Sequence, residues 1–336
     1  MAQTSKELIK GLFDHNDLNK VPFIPWVCSF AAKLEQVPAK TMLSDSGILS
    51  RALINAQKLF GYDVIVNIFD SSLEAEACGC EIEWPDNESS PVIVSHPLAE
   101  GENIGALNTS DFEMKGRIPV VLEATKRLAI IKGKEVAIAG IVTGPLTIAR
   151  HLRGEAFLDD LNQGKDEADE LIEEVGSICL RLCRAYCELG IDIVVIAEEM
   201  LGQLKPEIFQ VIASSLQSIW NVVGYYNVHS LILSKGCSET HIEPVFELNA
   251  DGVALSGSVD YQIIKENAIE RHCCFARSIP DSVLLGIDPL SRDSVHEYLL
   301  AKDKGLFLST EWDVPYSADV NSMHEIMKNI RDNQGS

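Results

Sequence analysis

Positive charge is what this chain has least of. Its 336 residues carry 28 Lys and Arg against 50 Asp and Glu, a formal net charge of −22. Binding nucleic acid without regard to sequence needs cations to displace phosphate counterions, so that class is excluded. Attraction to an anionic membrane surface is excluded on the same ground. Long hydrophobic runs are missing too, since none approaches the ~20 apolar residues of a spanning helix. The opening MAQTSKELIKGLFDHNDLNK has no apolar core, so no secretory signal is expected. There is no disulfide pattern: nine Cys are an odd number scattered through apparent core segments. That fits a reducing cytosol and a cytoplasmic protein. No low-complexity linker divides the chain, so residues 1–336 read as one domain.

What is present is a rhythm of short β-branched runs and amphipathic helical stretches. The expected strands are residues 21–26, 63–70, 135–144, 191–199, 227–234, 251–257, 272–279 and 305–311. Most are near-continuous apolar runs, as parallel strands buried on both faces should be. Between them, SGILSRALINAQKLFG ends on Gly61 and ELIEEVGSICLRLCRAYCELG on Gly190, each a helix with a glycine stop. KPEIFQVIASSLQSIW, SETHIEPVFELN and SRDSVHEYLLAKDKG complete the helices. Eight strand–helix units imply an α/β fold, a single (β/α)8 TIM barrel. No glycine-rich phosphate turn follows an early strand, which counts against a doubly wound sheet. Residues 71–120 exceed a simple crossover and read as a hairpin or excursion after the second strand, with Pro85-Asp86-Asn87 as its turn.

In such a barrel chemistry belongs where strands end. Those ends carry Asp70, Glu74, Thr143, Arg150, Glu198, Glu199, Lys235, Cys237, Ser256, Arg277, Glu311 and Asp313. Asp70 closes a buried run, so its carboxyl is either an acid/base group or substrate anchor, or a capping or ion-paired structural group. Glu198 and Glu199 are adjacent, so alternation turns one of them inward. Inward carboxylates from neighbouring strands would raise one another's pKa and suit proton donation. The alternative is a network paired with Arg150 or Arg153. Cys179, Cys183 and Cys187, four apart on one helix, read as packing. Cys237 and His241, also four apart, could share a zinc ion with oxygen from Glu198 or Glu199. Alternatively Ser238 caps that helix and His241 is solvated. Trp26, Phe30, Tyr225, Tyr226 and Trp312 are candidate aromatic walls.

KVPFIPW, FGYDVIVNIFDSSLEAEACGCEIEW, IVTGPLTIARHLRGEAFLDDL, ELGIDIVVIAEE, ELNADGVALSG and VPYSADVNSMHEIMKNI follow one another over roughly residues 20–330. In these blocks the chain resembles the uroporphyrinogen decarboxylase superfamily, with GPLTIA the most specific piece. The resemblance implies a (β/α)8 barrel. It also implies either decarboxylation or methyl exchange with a small corrinoid protein. The aspartate of the decarboxylases' FSDIL block matches Asp70. Their RQAGRY segment, which clamps acidic side chains, reads WVCSFAAKL here, with Lys33 its one cation. A lysine cannot supply guanidinium forks for a polycarboxylate. Thiol-activating methyltransferases of the family hold zinc with a His-x-Cys after the fifth strand and a Cys after the last. Leu233, Lys235 and Trp312 fall at or near those places.

The expected function is therefore a corrinoid-dependent methyltransferase. It would demethylate a small donor, of aryl methyl ether or methylamine type, and pass the methyl to the Co(I) corrinoid of a partner protein. Alternatives are a decarboxylase of a smaller acid and a non-catalytic barrel binding a tetrapyrrole or corrinoid protein. No DxHxxG corrinoid loop occurs, so the corrinoid would come on a second chain. Asp70, Glu74, Glu198 and Glu199 are the catalytic candidates. Trp26, Phe30, Thr143, His151, Tyr226, Arg277 and Trp312 are the substrate-lining ones. A homodimer is left open.

Overall fold

The computed structural model describes residues 3–88, 90–99, 104–107, 109–288 and 303–334. Eight parallel strands fall within the expected runs or overlap them: β1 (Phe23–Trp26), β2 (Val64–Val66), β3 (Ala137–Thr143), β4 (Ile193–Glu198), β5 (His229–Ser238), β6 (Gly252–Ser258), β7 (Cys274–Ile279) and β8 (Leu306–Asp313). They pair in the order β1-β8-β7-β6-β5-β4-β3-β2. Every residue of β1 to β4 is buried, because helices cover the outside while side chains fill the inside.

The last seam, between β1 and β2, is joined through one residue. Asp63 donates its N–H to the Phe23 carbonyl at 3.0 Å, and its Oδ2 accepts the Phe23 N–H at 3.0 Å. Its other oxygen accepts Ser5 and Lys20, each at 2.8 Å. The result is a (β/α)8 barrel.

Two strands end four residues away from expectation, each for a local reason. β2 stops at Val66 because Asn67 takes over the edge of β3: its Oδ1 accepts the Ile141 N–H at 3.0 Å and its Nδ2 donates to Thr125 at 2.9 Å. β5 runs on to Ser238 through a bulge, with its pairing to β6 shifting between Ser234 and Cys237. Gly236 turns there at φ +72°, a conformation that favours glycine.

The helix Ser46–Phe60 starts on Asp45, whose carboxylate accepts the Ile48 N–H, and stops on left-handed Gly61 as expected. The helix Asp166–Glu188 buries Cys179, Cys183 and Cys187, so that stripe is packing. All nine cysteines are buried and unpaired. The excursion contains an antiparallel hairpin, Ile82–Glu83 with Val92–Ile93. Its turn is held by Asp86, which accepts the Glu88 N–H at 2.7 Å. The helix expected over 291–305 lies outside the described residues, apart from its last three positions.

Candidate active site

The turn from β3 into the helix Pro145–Arg153 organises the carboxyl ends of the strands. Pro145 opens the helix, where a missing N–H costs nothing. The next two N–H groups, of Leu146 and Thr147, donate to Glu198 from β4 at 3.0 and 2.9 Å. The Thr147 hydroxyl donates to the same carboxylate, and the Met200 N–H adds a longer contact at 3.4 Å. Glu198 therefore caps a helix from a neighbouring strand. On the other side Thr143 donates its N–H and hydroxyl to Glu74 at 3.0 and 2.6 Å. Asp313 at the end of β8 repeats the device, accepting the Cys28 and Ser29 N–H groups at 2.9 and 3.1 Å.

Burial pushes the carboxyls of Glu74, Glu198 and Asp313 up to about 7. The expectation that the two glutamates raise each other is thus corrected. Desolvation is the main cause, with the Asp70 charge a minor addition at Glu74. In each group the folded-state value lies above the unfolded one, so the folded protein holds the proton more tightly. Stability contributed by the protonated form is full below the ordinary 4.5 of a glutamate and falls as pH rises toward 7. Glu198→Gln should remove about 3 kcal/mol of that fall between pH 5 and 8. Urea unfolding across this range checks it, and an unchanged slope would refute it.

Asp70 is not a free acid. Its Oδ2 is 2.5 Å from an Arg117 terminal nitrogen and its Oδ1 accepts the Ser72 N–H and hydroxyl at 2.9 and 2.7 Å. Arg117 also donates to Glu76 at 2.7 Å and to the Ser72 hydroxyl at 3.0 Å, and lies over the Trp84 ring at 5.4 Å. The ion-paired alternative holds for Asp70, whereas the network of inward carboxylates expected around Arg150 or Arg153 draws on neither arginine. Those two pair with Glu155 and Asp160. Arg117 was missed in the sequence, where only a lone arginine ahead of the IPVV helix marks it.

The groups left facing the mouth sit higher on the rim. Lys235, in the β5 bulge, reaches over the Trp312 ring of β8 at 4.7 Å and lies 3.7 Å from Glu199 at the end of β4. Phe69, beyond β2, meets Trp312 edge-on with centroids 4.9 Å apart. Glu311 accepts the Asp281 N–H at 3.3 Å. Trp312 and Glu199 thus come together, with Lys235 and Phe69 as unforeseen companions. His151 lines a cavity of about 320 Å³ with Ser71, Ser72, His96 and Arg150. Its Nε2 is buried without a partner among the described residues, and burial lowers its pKa toward the neutral ring.

Four expected site residues lie elsewhere or serve the fold. Phe30 is fully buried and stacks on Phe60 of an outer helix. Tyr226 follows the helix Gln210–Tyr225 and donates to Glu188 at 3.1 Å, ahead of β5 rather than at its far end. Arg277 lies over the Tyr261 ring at 4.4 Å. Trp26 is fully buried, its backbone N–H donating to Thr310 at 3.1 Å, while its indole nitrogen has no partner among the described residues.

The zinc expectation is also corrected. His241 accepts the Ser238 N–H through Nδ1 at 3.0 Å, so its Nε2 carries the proton and donates to the Leu204 carbonyl at 3.0 Å. One ring nitrogen serves the start of the helix Glu239–Phe246 and the other ties it to the Leu204 loop, and the ring is buried rather than solvated. Cys237 packs beside Ser234. Leu233 is buried hydrocarbon and Lys235 is a cation, so the family's zinc places cannot ligate a metal. Among the described residues no three His, Cys, Asp or Glu gather for a metal.

The comparisons agree with this architecture. The family profile described as uroporphyrinogen decarboxylase (URO-D) matches residues 4–332. The methylcobamide:CoM methyltransferase MtbA of Methanosarcina mazei is 28% identical over 140 residues, 42% of this chain and 41% of that protein. MtaA of Methanosarcina barkeri, of the same description, is 26% identical over 174 residues, 51% of each. The chain thus matches two fifths to one half of the length of these curated relatives. A solved methyltransferase from Methanosarcina mazei superposes with a TM-score of 0.84 at 19% identity, over 98% of this chain and 99% of that one, a likeness of fold. With a profile match over almost its whole length, the chain belongs to the uroporphyrinogen decarboxylase family.

Proposed function

We propose that this protein is a corrinoid-dependent methyltransferase that demethylates a small methylated donor. The observation that carries the reading is the rim itself: an aromatic corner of Phe69 and Trp312 beside Lys235 and Glu199. The barrel-end guanidinium groups of Arg117, Arg150 and Arg153 are engaged by the protein's own carboxylates. That suits a small, largely apolar molecule and not a polycarboxylate. The names of the curated relatives support the corrinoid chemistry. The non-ligating Leu233 and Lys235 favour taking a methyl from a donor over delivering it to a zinc-bound thiol.

A Co(I) corrinoid, carried by a partner protein, would supply the electron pair that takes the methyl. The bond from methyl to heteroatom then breaks toward the heteroatom, which gains a proton. The chain's own task is to orient the donor against the corner that Phe69 and Trp312 form and to stabilise the leaving atom. Half-buried Glu199 and Lys235 are the ionisable groups placed to do so. Glu74 and Glu198 hold the rim in shape through the Thr143–Thr147 turn.

Incubating the protein with a reduced corrinoid protein and a panel of methyl ethers and methylamines should produce the absorption of a methylated corrinoid. Absence of that signal across the panel sinks the reading. Carbon dioxide release from a small acid would favour a decarboxylase instead.

A further inference from the structure

We propose that Lys235 receives the leaving group of the donor, and that this group departs as an oxyanion, so the donor is an aryl methyl ether rather than a methylamine. This rests on the methyl-transfer reading above and names its substrate class.

The argument begins with the bulge in β5. Gly236 turns at φ +72°, and the pairing shift between Ser234 and Cys237 sets Lys235 apart from the regular ladder. The bulge is locked from both sides by close backbone approach. A Cβ on Gly202 would sit 2.4 Å from the Gly236 carbonyl carbon, and one on Gly257 2.2 Å from the Cys237 carbonyl oxygen. The side chain then reaches from β5 across to Trp312 on β8, three strands away in the barrel. Its ammonium therefore leans from the rim toward the mouth.

That ammonium is only partly used. Glu199 stands at 3.7 Å, beyond hydrogen-bond length, and the Lys235 ammonium forms no hydrogen bond among the described residues. Its side chain is 44% exposed, so a ligand in the mouth can reach its three N–H donors. A phenolate oxygen is a strong acceptor for them. The aryl ring behind that oxygen would extend the edge-to-face pair of Phe69 and Trp312.

The same geometry disfavours a cationic donor. A methylammonium would seek an aromatic face, and the Trp312 face is already covered by the protein's own cation. Two like charges would then meet at one ring. In the reaction the methyl–oxygen bond breaks with both electrons going to oxygen, while the methyl carbon takes its new pair from the Co(I) corrinoid. An N–H of Lys235 bonds the oxygen as its charge develops. Any proton it yields returns from water.

The test needs no corrinoid in its first arm. 4-Nitrophenol changes colour on ionising, so its binding and ionisation can be read together. The wild-type protein should bind the phenolate and lower its apparent pKa. Lys235→Gln should weaken binding about tenfold or more, while Lys235→Arg stays within about threefold. Tetramethylammonium should not displace the phenolate from wild type. Equal binding by Lys235→Gln, or displacement by tetramethylammonium, overturns the proposal. In the second arm, methyl transfer from substituted anisoles should suffer more from Lys235→Gln as the leaving phenol becomes less acidic, a trend that a structural lysine would not produce. Phenolate binding through Lys235 without methyl transfer would overturn the methyl-transfer reading and leave the oxyanion site standing. Transfer indifferent to Lys235→Gln would overturn this inference alone.

Discussion

Gly144→Ala is expected to destabilise the protein by about 4 kcal/mol, through a single methyl group. The backbone at Gly144 is ordinary for any residue, at φ −69° and ψ 154°, so strain is not the cause. The cause is the carboxylate it faces: a Cβ would lie 2.1 Å from Glu198 Oε2 and 2.6 Å from its carboxyl carbon. Nothing can yield cheaply. Glu198 is buried and accepts the Leu146 and Thr147 N–H groups, so moving it strips the start of the helix Pro145–Arg153 of its acceptor. Thermal unfolding should show a fall of several degrees. Placing Gly144→Ala in a Glu198→Ala background separates the two effects: the carboxyl collision disappears and only a 3.0 Å approach to the Cβ at position 198 remains, so Gly144→Ala should cost much less there than it does in the wild type. Additive losses would show that the collision is not the mechanism.

Arg117→Met should cost about as much, roughly 4 kcal/mol, because it leaves the buried Asp70 carboxylate without its countercharge. Arg117 stands at the far end of the excursion and grips Asp70, Ser72 and Glu76 at the near end, with Trp84 of the hairpin region stacked beneath it. One guanidinium therefore ties both ends of a 47-residue detour to the barrel. Without it, proteolysis between residues 79 and 98 should precede global unfolding. Asp70→Asn combined with Arg117→Met should recover part of the loss, since the charge then left without its partner is that of part-exposed Glu76 and not that of buried Asp70. If the double substitution is as unstable as Arg117→Met, the buried charge is not what the arginine neutralises.

The barrel was legible because buried parallel strands are continuous apolar runs, and all eight could be placed. What escaped was where side chains replace backbone. Asn67 ends β2 early by bonding into β3, and nothing in VIVNIF marks that exchange. The carboxylates at strand ends were legible as positions but not as roles. Glu198 answers to Leu146 and Thr147, about fifty residues back, and Asp70 to Arg117, forty-seven ahead. Such pairings depend on which strands become neighbours, and spacing along the chain cannot carry them. Phe30 and Tyr226 were misplaced for a related reason. An aromatic near a strand reads alike whether it faces the mouth, an outer helix or the opposite end of the barrel. Lys235 was visible at a strand end, but its reach across to Trp312 depends on a bulge set by Gly202, Gly236 and Gly257.

The capping carboxyls bear on how the molecule would move in an electric field. The formal charge of −22 counts every aspartate and glutamate as ionised. Glu74, Glu198 and Asp313 titrate at about 7, so at neutral pH each is about half protonated. Three half charges amount to about one and a half, and the working charge is nearer −20 than −22. The withheld part sits where Glu74, beyond β2, meets the end of β3 and at the ends of β4 and β8, where it leaves the rim around Lys235 less repulsive to a departing anion.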